Sequence, residues 1–321
     1  MNRGDSLQKW IVVGMLFALL PLCSGCIDDN MSDCNNFTVR YRIELTTQSQ
    51  AFSGVMEVLD MHFYDSNKAL AYYEHVEKEQ MPSDNIYKIM LPISNYHHFA
   101  IANIKEESCV KSSDLGIDPD KHKLGYQSTA DTVPSHGSEL YIGRAQFTIA
   151  DKDEFVEVVL TPCIAMTRLH LDYETGVAAS VDRIEGYINK TATGFYSKDS
   201  IYEYERPVVV QMNEAGEDEN GLSLYQALSF PSQDEASVDA SAGTRSITEE
   251  NALWNTDVYV TMGDKITRNT IHLADPLPAG ECVDIYGLVR GDGSIEIGHN
   301  LNATVAVTID WKPGGNIDIE M

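Results

Sequence analysis

Apolar and polar positions alternate along most of this chain, and the alternation has a period of two. Phe37, Val39, Tyr41, Ile43 and Leu45 fall on one side of the stretch 37–45, with Thr38, Arg40, Arg42 and Glu44 on the other. Successive side chains of a strand point to opposite faces, so this predicts a half-buried β-strand. Leu59, Met61 and Phe63 repeat the pattern, Asp65-Ser66-Asn67-Lys68 supplies turn residues, and 70–75 returns as a second strand. Residues 51–57 lead in, with a short helical turn as the alternative reading. Strands are expected over 86–91, closed by Pro92, and over 96–104. Residues 105–138 are polar and read as a long irregular excursion with a helical turn near Asp118-Pro119-Asp120-Lys121. The sheet resumes at 140–143, and Val156, Val158 and Leu160 line one face of a strand over 155–160.

A second series begins with Leu169, Leu171 and Tyr173 on one face of 167–173. Strands follow over 183–188, 201–212, 222–230, 258–262, 270–273, 282–289 and 305–311. Asp292-Gly293 marks a turn. Two insertions, 213–221 and 232–244, are acidic or rich in Ser, Ala and Asp, and read as exposed loops. The first half holds no long stretch of helical period. Short strands separated by turn residues imply an all-β chain of sandwich or barrel type. The expected division is two β domains in tandem, 37–165 and 166–321.

The N-terminus departs from this pattern. Arg3 and Lys9 precede an apolar run from Trp10 to Leu22, followed by small residues and a cysteine. That layout predicts a secretory signal peptide over 1–25. The run is shorter than the roughly 20 residues a spanning helix needs. Ser24-Gly25-Cys26 resembles the lipobox of bacterial lipoproteins, in which the cysteine is acylated and becomes the first mature residue. Cys26 is therefore the expected lipidation site, and the polar, acidic stretch 26–36 the tether. Asp28-Asp29 resembles the surface-export signal of lipoproteins in some Gram-negative anaerobes, which implies display on the outer face. Asp131-Thr132-Val133 and Asp199-Ser200-Ile201 resemble the O-glycosylation acceptor pattern of the same bacteria, with Thr132 and Ser200 as the acceptors.

Charge narrows the partners. The formal net charge is −26, which argues against nucleic acid and anionic lipid, since both require a basic surface. Setting aside Cys23 and Cys26 leaves Cys34, Cys109, Cys163 and Cys282, an even number suited to an oxidising compartment. Disulfides among these four are expected, with buried free thiols as the alternative and the pairing left open. Their spacing forms no zinc motif. His97 and His98 are neighbours on a strand and face opposite ways, so they make no metal site. The acidic run 216–221 lacks the spacing of a calcium loop. No cofactor is implied, and no G-x-S-x-G or H-E-x-x-H constellation points to an enzyme.

The order of these features is similar to the FimB-type fimbrial anchor family, the minor fimbrial subunit lipoproteins of Gram-negative anaerobes. The resemblance rests on the lipobox with acidic residues and a second cysteine at Cys34, and on the strand at 37–45. It rests also on Val58–Tyr64 with its return strand, on the run from Leu91 to Asn103, and on the closing Thr304-Val305-Ala306-Val307-Thr308-Ile309-Asp310-Trp311. Ala102-Asn103, where a Trp is expected, and the acidic loops between 213 and 244 depart from it. The resemblance implies two transthyretin-like β-sandwich domains, Cys26 in the outer membrane, and fimbrial shaft subunits as protein partners joined by strand donation. Shaft subunits of such systems lose their first strand by cleavage after an Arg. Here Arg40 and Arg42 lie inside the first strand, so that cleavage would also discard Cys26. The alternatives are a tip or accessory fimbrial adhesin and a glycan-binding surface lipoprotein of a polysaccharide uptake system.

Overall fold

The computed structural model describes residues 37–311, apart from 47–48, 114–117, 129, 151, 207, 234–246, 248, 250 and 299–302. Cys26, Cys34, the signal and the tether lie outside the described residues, as does most of the second acidic insertion. In the first part of the chain the strands are β1 Phe37–Leu45, β2 Val58–Tyr64, β3 Leu70–Glu77, β4 Ile86–Leu91 and β5 Ser94–Ala102. They continue with β6 Val110–Ser113, β7 Lys123–Tyr126, β8 Thr132–Pro134, β9 Tyr141–Ile149 and β10 Glu154–Pro162. The second part holds β11 Ala165–Tyr173, β12 Arg183–Thr191, β13 Gly194–Tyr196, β14 Ile201–Glu203, β15 Val208–Gln211 and β16 Asn213–Glu217. It ends with β17 Ser223–Ser229, β18 Trp254–Met262, β19 Lys265–Leu273, β20 Cys282–Val289, β21 Ile295–Ile297 and β22 Ala303–Trp311. Among the described residues the helical elements are short 3-10 turns, among them Pro119–Lys121, where Asp118 accepts from the Asp120 amide. Residues 49–52 form a turn and bend without a helix.

One wiring diagram occurs twice. β1 lies between β4, antiparallel, and β10, parallel. β11 lies in the same way between β17, antiparallel, and β20, parallel. The facing sheets run β3-β2-β5-β9 and β15-β12-β18-β19, with every neighbour antiparallel. Each set wraps its own apolar cluster. Leu59, Met61, Phe63 and Leu160 belong to the first, Leu169, Trp254, Val260 and Ile271 to the second. The sheets of the first set join at a corner, where Ile142 and Tyr141 of β9 meet Thr161 and Pro162 of β10. A Cβ on Gly143 there would stand 2.6 Å from a Val158 methyl and 2.8 Å from the Val159 carbonyl oxygen. Only glycine permits that approach.

The excursion expected over 105–138 holds three short strands besides its turn at Pro119–Lys121. β6 and β7 pair with each other, and β7 pairs with β13 from beyond residue 165 to give the sheet β14-β13-β7-β6. This small sheet, woven from both parts of the chain, lies over the outer face of β2 and β5. The His122 ring stacks on Phe99 at 5.4 Å and meets His62 at 5.8 Å. β2 is consequently buried on both faces except at Asp60. β8 crosses the other way and pairs in parallel with β15, placing Val133 in the second cluster. The strand expected over 201–212 is two strands in different sheets, β14 and β15. The expected loop 213–221 is largely β16, whose five residues are all exposed. β9 runs on to Ile149, and β18 and β19 are both longer than their apolar alternation suggested, joined at Gly263 with φ +61.

Asn103 closes β5 with φ 72 and is 2 % exposed. Its side-chain oxygen accepts from the amides of Glu57 (2.8 Å) and Val58 (3.4 Å). Its amide nitrogen donates to the carbonyls of Val55 and Glu139, both at 2.8 Å. Asn tolerates the left-handed backbone better than most residues, and here its side chain serves as the local tie between two loops.

Candidate functional site

Cys109, Cys163 and Cys282 are free thiols and no disulfide joins any two of them, while Cys34, the fourth expected member, lies outside the described residues. Cys163 is 1 % exposed beside the Leu140 carbonyl, and burial pushes its thiol up to about 12. Cys109 lies near the Pro134 carbonyl and Cys282 opens β20. Thr132 is exposed on β8, and Ser200 is exposed on a turn with φ 55. Arg40 and Arg42 sit in β1, the middle strand of its sheet. His97 is exposed while His98 is buried against Phe63 at 4.1 Å, so the two do face apart. Among the described residues, no three His, Cys, Asp or Glu are placed to hold a metal ion, and no helix is long and apolar enough to cross a membrane.

The polar clusters are closed on themselves. His170 Nδ1 lies 2.7 Å from Asp218 Oδ2, and its Nε2 lies 3.0 Å from Asp284 Oδ1. The ring stacks on Tyr286 at 4.4 Å, and Arg168 binds Asp284 through two nitrogens at 2.7 and 3.0 Å. Burial pushes the Asp284 carboxyl up; the hydrogen bonds of Arg168 and His170 more than offset this and hold it below the ordinary carboxylate range. The Leu222 amide, with His170 and the Asn220 amide, holds Asp218 low as well. The acidic run is therefore a pinned hairpin turn rather than a cation loop. His75 sits between Asp60 (2.9 Å) and Glu77 (3.0 Å), and these carboxylates, Asp60 first, raise its pKa. It lines an open groove of about 720 Å³ with Tyr73, Glu57 and Lys105. His62 is 1 % exposed, with neither ring nitrogen hydrogen-bonded among the described residues, and burial pushes its pKa down to about 3.

What the fold leaves unclosed is backbone. β22 is the outermost strand of its sheet, with Val307 45 % and Ile309 48 % exposed. β9 pairs along its whole length with β5 but meets β10 only at Tyr141 and Ile142. Strand edges present rows of N–H and C=O groups able to pair with another chain. Sequence patterning could find β22 from its alternation, but not the free side of β9, which depends on the register of three strands distant in sequence.

The described body is thus all-β, with ion-pair clusters that close on themselves and with strand edges left open. The chain is a member of the family of fimbrillin-A associated anchor proteins Mfa1 and Mfa2, whose sequence model matches residues 31–313. It is thus a fimbria-associated surface protein. Among solved structures it is similar to an adhesin candidate from Bacteroides ovatus, at 9% identity and TM-score 0.53 over 87% of this chain and 95% of that one. It is similar to an adhesin candidate from Bacteroides thetaiotaomicron, at 14% identity and TM-score 0.50 over 82% and 95%. The fimbrial anchor protein Mfa2 from Porphyromonas gingivalis matches at 11% identity and TM-score 0.48 over 86% and 99%. At these identities the likeness extends to the fold alone. No curated protein sequence matches the chain.

Proposed function

We propose that this protein is a lipid-anchored structural component of a surface fimbrium, held in the outer membrane through acylated Cys26 and joined to shaft subunits by strand donation or acceptance. The observation that carries the reading is the match to the anchor family along 31–313. The chemistry agrees with it. A diacylated cysteine buries many CH₂ groups at about 0.8 kcal/mol each, enough for stable attachment. The tether 26–36, extended, reaches about 36–40 Å. β1 is paired on both sides, so an uncut chain keeps tether and sheet in one piece, whereas cleavage after Arg40 or Arg42 would open the sheet between β4 and β10. The same reading divides the body at residues 165 and 166, between the two copies of the wiring diagram, and takes both as transthyretin-like sandwiches. Thr132 and Ser200, both exposed, are offered as O-glycan acceptors.

Deleting the protein tests the anchor role: fimbriae should be shed or overlong, and unchanged fimbriae would end the proposal. The intact mass of the native chain tests the attachment. A species beginning at acylated Cys26 supports it, and one beginning after Arg40 or Arg42 moves the protein into the shaft or tip.

A further inference from the structure

The two copies of the wiring diagram differ at one edge. In the second set, β22 lies along β19 for all nine residues, with Val305 opposite Ile271 and Val307 opposite Asn269. In the first set, β9 is the counterpart of β19. Both strands have nine residues and pair end to end with an antiparallel partner: Ser94 to Ile149 and Ala102 to Tyr141 in one, Trp254 to Leu273 and Met262 to Lys265 in the other. This puts Phe147 in the place of Ile271 and Ala145 in the place of Asn269. Among the described residues, no strand lies beyond residues 143–149 of β9.

The apolar surface records the difference. Ile271 and Asn269 are 0 % exposed under β22. Phe147 and Ala145 face the first cluster in the same way but remain only half-buried. Phe147 stacks on Tyr96 at 5.5 Å and meets Phe63 edge-on at 6.3 Å, so one side of its ring is packed. Where β10 veers from β9, an open groove of about 340 Å³ runs beside the free edge, lined by Ile142, Gly143, Val159 and Tyr202. Val159 and Ile201, at its margin or next to it, are 45 % and 56 % exposed.

We infer that the free edge of β9, residues 143–149, is a strand-accepting seat for an extended segment of a partner subunit with the alternation of β22. Such a segment completes the first sheet as β22 completes the second. Its backbone pairs with the edge, and every second side chain, small or β-branched as at Ala303, Val305, Val307 and Ile309, packs over Phe147 and Ala145. β1 need not be displaced. The inference rests on the strand-joining reading and gives it a location.

The probe is a synthetic peptide with the sequence of residues 303–311, the segment already seen at the equivalent edge. Amide hydrogen exchange is followed on the full-length protein with and without it. The expected result is slowing of about tenfold or more, confined to the amides of 143–149 that face away from β5. Ala145→Lys, which sets a charge at an inward edge position, should abolish it while exchange in β2 and β5 stays unchanged. Three results would overturn the seat. First, the amides of 143–149 that do not bond to β5 must exchange fast before peptide is added; slow exchange there would mean that the chain's own segment fills the edge. Protection at β1 or another edge would leave strand joining intact and remove this location. No protection anywhere would remove it as well. Loss of fimbrial anchoring is scored separately by gene deletion, so either conclusion can fail alone.

Discussion

Asp218 Oδ2 lies 2.7 Å from His170 Nδ1, while Asp218 Oδ1 accepts the amides of Asn220 (2.8 Å) and Leu222 (2.9 Å). One carboxylate both shapes the β16–β17 turn and fastens it to β11. Hydrogen bonds to a charged group contribute roughly 1.5–3 kcal/mol each, less where solvent intrudes. Asp218→Ala should therefore lower the melting temperature and speed amide exchange over 213–222. A thermal melt and an exchange map read both effects; unchanged exchange in that hairpin would show that the turn holds without the carboxylate.

Asn103 makes four hydrogen bonds from a buried, left-handed position. Asn103→Ala loses all four and adds backbone strain, an expected cost of about 3 kcal/mol. Asn103→Gly relieves the strain but not the lost bonds and should fall between the two. Denaturant midpoints rank the three proteins. A glycine variant as stable as the parent would mean that the backbone conformation, not the side chain, is what the site requires.

His62 and His75 make opposite contributions to acid stability. His62 has a folded pKa of about 3 against an ordinary 6.5, because of burial first and His122 second. As pH falls from 6.5 toward 3, the unfolded chain binds a proton that the folded one does not, and stability drops by about 1.4 kcal/mol per unit. His62→Phe should remove one proton from the slope of stability against pH in that window. His75, raised by Asp60 and Glu77, contributes stability that is complete below 6.5 and lost as pH climbs through its raised value. Its exposure keeps that contribution small. Imidazole NMR titration should show His75 titrating above the ordinary range, and denaturation between pH 7 and 4 should show the flatter slope; an unaltered slope in His62→Phe would refute the assignment.

The thiols give a direct chemical count. Cys109, Cys163 and Cys282 are free, so unfolding without reductant should expose three reactive thiols from these positions. Cys163, buried and with its pKa raised, should react only on unfolding. Peptide mapping after alkylation reads each site, and any of the three recovered in a disulfide would contradict the structure.

Strands with one face in the core were legible in the sequence, since β4 and β10 write their burial as alternation. Residues 110–134 were not. Val110, Leu124 and Val133 are buried apolar residues in polar surroundings; Val110 pairs with Tyr126 of β7, and Leu124 and Val133 pair with Phe195 and Val210, far along the chain. β16 carries no apolar residue large enough to signal a strand and exists because β17 offers an edge. The cysteine count suggested covalent bridges, yet the three described thiols are accommodated by packing. Asp218 was visible as one of several acids, but its partner His170 lies 48 positions away, beyond any local pattern.

The sheet formed by β6, β7, β13 and β14 also constrains the order in which the chain can take shape. Ala192 and Phe195 contribute to the first apolar cluster, and Val133 to the second. A polypeptide folding from its N-terminus cannot complete its first apolar cluster when residue 165 appears; it must wait for Leu228 and Phe230, which also belong to it. Once assembled, a pull applied between the two ends of the described body meets a stitched seam rather than two beads on a string, and the halves resist separation together.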